Sequence, residues 1–305
     1  MQASPTRTPM NPERRFPLDM RLAKEAIHQL YEDSKTAHWV PSSDIAWNSF
    51  DAASHDKAAL EAARAVWSRR AWLEYTGLAE TPALLIRFCL ELDREIDPKF
   101  FLTVRNTDEA WHVECFHRYA QACGGYIDTP ANAQWQTLFN RGLDRDALDA
   151  QRSLDGHVLT HCTFGDGLEH VLAAAWLANT TEPVARALLE RCVAARERHA
   201  RFGWLYMERR APMMLRDERS TAVAALVEHL NQVELKGLRC IGLAYDIDAS
   251  TDIASQDAVA RAGLGAVTAV EEVALFRQHI DAFRDRLATI GLQLPLLDHP
   301  ALGQF

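Results

Sequence analysis

Glu74 and the run Asp108-Glu109-Ala110-Trp111-His112 constrain the fold of this chain more than any other feature, because 35 residues of long helical sequence separate the two glutamates. On a helix, Glu109 and His112 stand three residues apart and share a face, so carboxylate and imidazole aim at one place. A Glu on one helix with Glu-x-x-His on its neighbour is half the ligand set of a two-metal site inside a four-helix bundle. A chain carrying it is expected to be all-α, with a second such half on two further helices.

The surroundings favour a buried site. Helical steps from Glu109 reach Phe101, Ala110, Phe116 and Tyr119, and Trp67, Ala71, Gly77 and Leu78 line the region around Glu74. On an exposed helix Glu-x-x-His would mean nothing. Carboxylates on two apolar faces must instead be paired or bind a cation, because burying an uncompensated charge is costly.

The second half is imperfect. Asp166 and Glu169 share a face and either is a candidate opposite Glu74; the 33-residue step from Asp166 to His199 compares better with the 38-residue step from Glu74 to His112. Three residues before His199, where a Glu belongs, stands Arg196, and a guanidinium cannot ligate a metal. Glu197 points about 160° away from His199 on a regular helix. Three readings stay open: Glu197 ligates through a helix bulge, one metal is held by fewer ligands (both Asp166 and Glu169 among them), or Arg196 pairs with a carboxylate and the second metal is lost. The last two rank above the first. Asp108 is placed to hydrogen-bond a ligating histidine on a neighbouring helix. His161 is a candidate cavity residue, and Cys192, two turns before His199, is expected to be core. Arg196, or Arg70 one turn before Glu74, suits a substrate carboxylate as well as it suits an internal salt bridge.

Along the chain, residues 1–18 read as a disordered tail and 19–305 as one helical domain, with a metal-site bundle over about 56–210 and covering helices over 212–292. Helices are expected from about Asp19 to Tyr31, from Asp56 kinked at Pro82 to Asp97, from Asp97-Pro98 to Gly124-Gly125, and over Ala133–Asn140. Further helices run from Asp144 or Asp146 to Ala178, from Thr181-Glu182-Pro183 to Arg210, from Asp217 to Cys240 and from Ile253 to Ile290. The two long pairs form a divergent duplication. A formal charge of -9 excludes a nucleic-acid footprint, and no apolar run is long enough for a membrane span. Six cysteines without a CxxC pair, and no signal peptide, point to reduced thiols and a cytoplasmic protein. A homodimer is the expected assembly.

These residues resemble the ferritin-like di-iron oxygenases, especially the p-aminobenzoate N-oxygenase group. Glu74 and Asp108-Glu109-Ala110-Trp111-His112 match the first half of that signature in full. Ala195-Arg196-Glu197-Arg198-His199 follows the second half with both acids replaced, and the likeness covers about residues 60 to 210. It implies a ferritin-like bundle with Glu74, Glu109, His112, His199 and either Asp166 or Glu169 as iron ligands. It also implies two iron ions (or one, given Arg196), O2 as co-substrate and an external reductant. The expected reaction is N-oxygenation of a small amine, free or carrier-tethered. A ferritin-like protein with a degraded site acting as a non-catalytic binding partner is the alternative, and a hydroxylase or desaturase acting on carbon is a third reading.

Overall fold

A computed structural model describes residues 26–91, 96–141 and 143–305. The proposed tail and the start of the first expected helix therefore lie outside the described residues. Within them α1 covers Ala26–Thr36, five residues beyond Tyr31, and packs on helices α4 and α9 introduced below. Between α1 and the first long helix the chain makes a single turn, α2 (Pro41–Asp44), and two 3-10 turns.

The first long pair is α3 (Lys57–Leu90) and α4 (Asp97–Ala122). The Asp56 side chain caps α3 by accepting from the Ala58 and Ala59 amides at 3.0 and 3.2 Å, which occupies two of the helix's free N–H groups. The helix carries Pro82 inside it and stops at Leu90, short of the expected Asp97. Asp97 is the first helical residue of α4 and not its cap. Gly124 and Gly125 end that helix with φ of 121° and 124°, and the Gly125 amide bonds back to the Ala120 carbonyl at 3.1 Å.

Two short helices follow, α5 (Ala133–Phe139) and α6 (Leu143–Leu148). The single helix expected up to Ala178 is broken after Leu148. Ser153, rather than Asp144 or Asp146, caps a new start at α7 (Leu154–His157), its hydroxyl accepting from the Gly156 amide. The chain then winds as a π-helix over Val158–Gly165 before α8 (Asp166–Ala178). α9 (Pro183–Arg210) begins as expected, with the Glu182 carboxylate accepting from the Val184 and Ala185 amides and Pro183 in the first turn.

α3 lies against α4, α8 and the π-helical stretch against α9, and α4 against α9, which closes a four-helix bundle. Its interior is filled by Leu84, Phe88, Phe101, Phe116, Leu168 and Phe202, all buried. The C-terminal covering region has three helices, not two: α10 (Arg216–Gln232), α11 (Ser250–Arg261) and α12 (Ala269–Thr289). Gly263 and Gly265, both at positive φ, make the break inside the expected Ile253–Ile290 helix. A two-residue hairpin, β1 (Asp298–His299) with β2 (Gly303–Gln304), ends the chain. Among the described residues no helix is long and apolar enough to cross a membrane.

Candidate metal centre

Of the six predicted ligands five are buried inside the bundle and the sixth, Glu169, is half-buried. Glu74 on α3, Glu109 and His112 on α4, Asp166 on α8 and Arg196 and His199 on α9 are all buried, and Glu169 lies at the edge of the group. What joins them is a network of ion pairs. His112 Nδ1 donates to Glu74 Oε1 at 2.7 Å, and Arg196 Nη2 donates to Glu74 Oε2 at 2.5 Å. Arg105, one turn before Glu109, reaches Glu109 Oε1 at 2.7 Å and also forks onto Asp166 across the bundle at 2.8 and 3.0 Å. Thr81 donates to the other Glu109 oxygen at 2.7 Å and accepts from Arg105.

At Gly77 the absence of a side chain makes room for Glu109, since a Cβ there would stand 2.9 Å from Glu109 Oε1. Asp108 accepts from His199 Nε2 at 3.2 Å, the role expected for it. Glu169 bridges Arg196 at 3.6 Å and Arg239 at 2.8 Å, and Arg239 also pairs with Glu234. His161 faces Glu80 at 3.3 Å.

Burial and charge set the protonation of the cluster. Burial pushes the Glu109 carboxyl up to about 8; Arg105 opposes this and neighbouring Glu74 adds to it. Glu80 is raised to about 7, again by burial. Burial works in the same sense on Glu74, but the Arg196 guanidinium and His112 outweigh it and hold this carboxyl well below its ordinary value. Burial disfavours the His112 imidazolium, yet the Cys192 thiol and the Glu74 carboxylate beside it hold its pKa at about 10. His199 is lowered by burial. Glu74, Asp166 and Glu169 are thus balanced by Arg105, Arg196 and Arg239 with protonated His112 beside Glu74, while Glu109 holds a proton at neutral pH and Glu80 titrates there.

Of the three readings of Arg196, the bulge is overturned: α9 is regular there and Glu197 is exposed. Arg196 pairs with a carboxylate. Asp166 and Glu169 both belong to the cluster, Asp166 on Arg105 and Glu169 on the arginines at its rim. Sequence reasoning missed Arg105, Thr81, Glu80 and Arg239. Arg105 had a local signal, standing one turn before Glu109 on its face. Arg239 comes from the connection between α10 and α11, in a region expected to have no part in the site.

No family model matches this sequence, and no curated protein matches it either. Solved structures do. An R2-like ligand-binding oxidase with an aerobically reconstituted metal cofactor superposes with a TM-score of 0.63 at 18% identity, over 87% of this chain and 94% of that one. A variant of such an oxidase with an aerobically reconstituted Mn/Fe cofactor gives 0.62 at 19% identity, over 88% and 94%. One with an Fe/Fe cofactor gives 0.55 at 17%, over 87% and 94%. The fold is that of the R2-like oxidases. The more specific likeness to the p-aminobenzoate N-oxygenases finds no support among these structures.

Whether the residues fit the metals those oxidases carry is a question for the donor set. In the first half Glu74, Glu109 and His112 supply two carboxylates and an imidazole, a set suited to a borderline cation. In the second, Asp166 and His199 remain but Arg196 replaces the third donor and Arg105 already saturates Asp166. As arranged, no three His, Cys, Asp or Glu side chains among the described residues gather as ligands, because each carboxylate is turned onto a cation of the chain. In donor chemistry the first half suits one borderline cation, and the second, with Arg196 in it and Asp166 held by Arg105, does not suit another.

Proposed function

We propose that this chain is an oxidase of the R2-like type that works with one metal ion, held by Glu74, Glu109 and His112, and that Arg196 supplies the second positive charge. The observation that carries this reading is that five of the six positions of the paired half-sites keep a donor-capable side chain, and that all five are buried in a fold shared with R2-like oxidases. A redox-active ion held by Glu74, Glu109 and His112 would supply electrons for O2, replenished by the external reductant. The protein's part is placement and charge. Arg196 fixes one Glu74 oxygen, Asp108 orients His199, and Arg105 anchors Asp166 so that the second half stays closed. Glu109, holding a proton near neutral pH, must lose it to ligate, so uptake of the ion releases protons. A small amine acted on at nitrogen, with an external reductant, is the substrate-level form of this proposal; it follows from the motif resemblance of the first half.

A second reading has its own observation: the chain's arginines and His112 balance the ionised carboxylates without any ion. It makes the molecule a metal-free, ferritin-like binding protein. Metal counting separates the two. After anaerobic loading with Fe(II) or Mn(II) and desalting, elemental analysis is expected to find one ion per chain. Arg196→Glu is expected to raise this to two. No ion in either protein would leave only the binding-protein reading.

A further inference from the structure

Beside Glu74, buried cationic groups carry more N–H donors than the carboxylates around them accept. The Arg70 guanidinium is clamped between two indoles, its Cζ 3.7 Å from the Trp176 ring centre and 4.7 Å from that of Trp67. Its Nη1 donates to the Gly265 carbonyl at 2.7 Å, and its Nη2 is buried with no partner. Glu272 is the carboxylate that most favours the Arg70 charge, but no ion pair joins them among the described residues. The Glu272 Oε1 atom is instead occupied by Trp176 Nε1 at 2.8 Å and Gln256 Nε2 at 2.7 Å.

Arg196 approaches the same indole, with Cζ 6.0 Å from the Trp176 ring centre. It spends Nη2 on Glu74 and turns Nε toward Glu169 Oε2 at 3.6 Å, while Nη1 has no acceptor. His112 spends Nδ1 on Glu74, and the Cys192 thiol is hydrogen-bonded to the same imidazole. Cys192, fully buried, is near enough to influence all three side chains.

Two buried guanidinium nitrogens beside one indole, Arg70 Nη2 and Arg196 Nη1, are thus left without an acceptor, and a buried donor is costly until something bonds to it. Two guanidinium groups within one aromatic enclosure also repel each other, and burial together with Arg196 draws the Arg70 pKa down to about 9. A negative charge between them relieves both penalties. The free N–H groups belong to planar forks, the geometry that matches a carboxylate. Trp176 and Phe116, whose ring centre is 5.8 Å from Arg196 Cζ, supply apolar walls.

We propose that Arg70 and Arg196 form, beside Cys192, a buried binding site for a carboxylate-sized monoanion. The site does not depend on a bound metal, so it is tested on metal-free protein and fails or stands apart from the oxidase reading. Melting of the full chain is followed in sodium formate and in sodium gluconate at equal ionic strength, gluconate being too bulky to enter. Formate is expected to raise the melting temperature by about 5 °C at a hundredfold excess over its dissociation constant. Arg70→Met should abolish the difference, and Arg70→Lys, which keeps the charge and loses the fork, should weaken formate binding at least tenfold.

Crystals soaked in bromide should show an anomalous peak in contact with Arg70 Nη2 and Arg196 Nη1. Coincident melting curves, with only water between the two arginines, would overturn the proposal. A series from formate to butyrate then identifies the source. Affinity that rises with chain length assigns the site to the carboxylate of an organic molecule, and affinity confined to formate and halide assigns it to a free ion; either result upholds an anion site.

Discussion

Arg105 shows what one side chain does for the centre. It is buried, it forks onto Asp166 and offsets that charge, and its remaining N–H groups reach Glu109 and Thr81. Removing one member of a buried pair strands the other in low dielectric, which costs about 3–5 kcal/mol. Arg105→Met is therefore expected to lower the urea-unfolding free energy by that amount. Adding Asp166→Asn should recover most of it, because the stranded charge is then gone. Equal losses in the single and double variants would mean that the pair is not the source. At this scale the sequence was informative where the signal is local. The shared face of Glu109 and His112 and the odd residue at Arg196 both follow from helical spacing. The Arg105–Asp166 and Arg239–Glu169 pairs are 61 and 70 residues apart, and nothing in periodicity assigns a partner at that distance.

At the scale of elements, the π-helical stretch beside α9 is the feature that periodicity could not announce. Its residues read as ordinary apolar helix, and the wider winding shows only in backbone bonds such as the Asp166 amide to the His161 carbonyl, five residues back. Gly203 of α9 meets it where a Cβ would run into the Cys162 carbonyl. Backbone on backbone cannot yield as a flexible side chain does, so Gly203→Ala is expected to cost about 3 kcal/mol or more. Gly77→Ala faces only a movable carboxylate and should cost less than Gly203→Ala. Chemical denaturation of both variants checks the order, and the reverse order would contradict this packing. The helix boundaries missed from sequence share a cause. Ser153, Gly263 and Gly265 are unremarkable in composition, and their capping and turning roles depend on what packs around them.

For the whole molecule, the buried titrating groups set the direction of the pH response. Glu109 holds its proton up to about 8 and His112 up to about 10, while their ordinary values are 4.5 and 6.5. Between the ordinary and the raised value the folded chain binds a proton that the unfolded chain has released, so stability falls as pH rises. Glu80 and Glu272 act in the same sense but are spent by about 7. The melting temperature of metal-free protein is therefore expected to decline from pH 7 to 10. Glu109→Gln should remove roughly half of the decline between pH 7 and 8 and leave the part owed to His112. A profile that rises over this range would refute the assignment.

The fork between Arg105 and Asp166 has one more outcome. Because α4 and α8 are tied by the chain's own charges, the bundle interior takes its shape during folding without waiting for a mineral supply. Cells starved of iron and manganese should accumulate this protein in finished form, and a chelator added afterwards should leave its helical circular dichroism untouched.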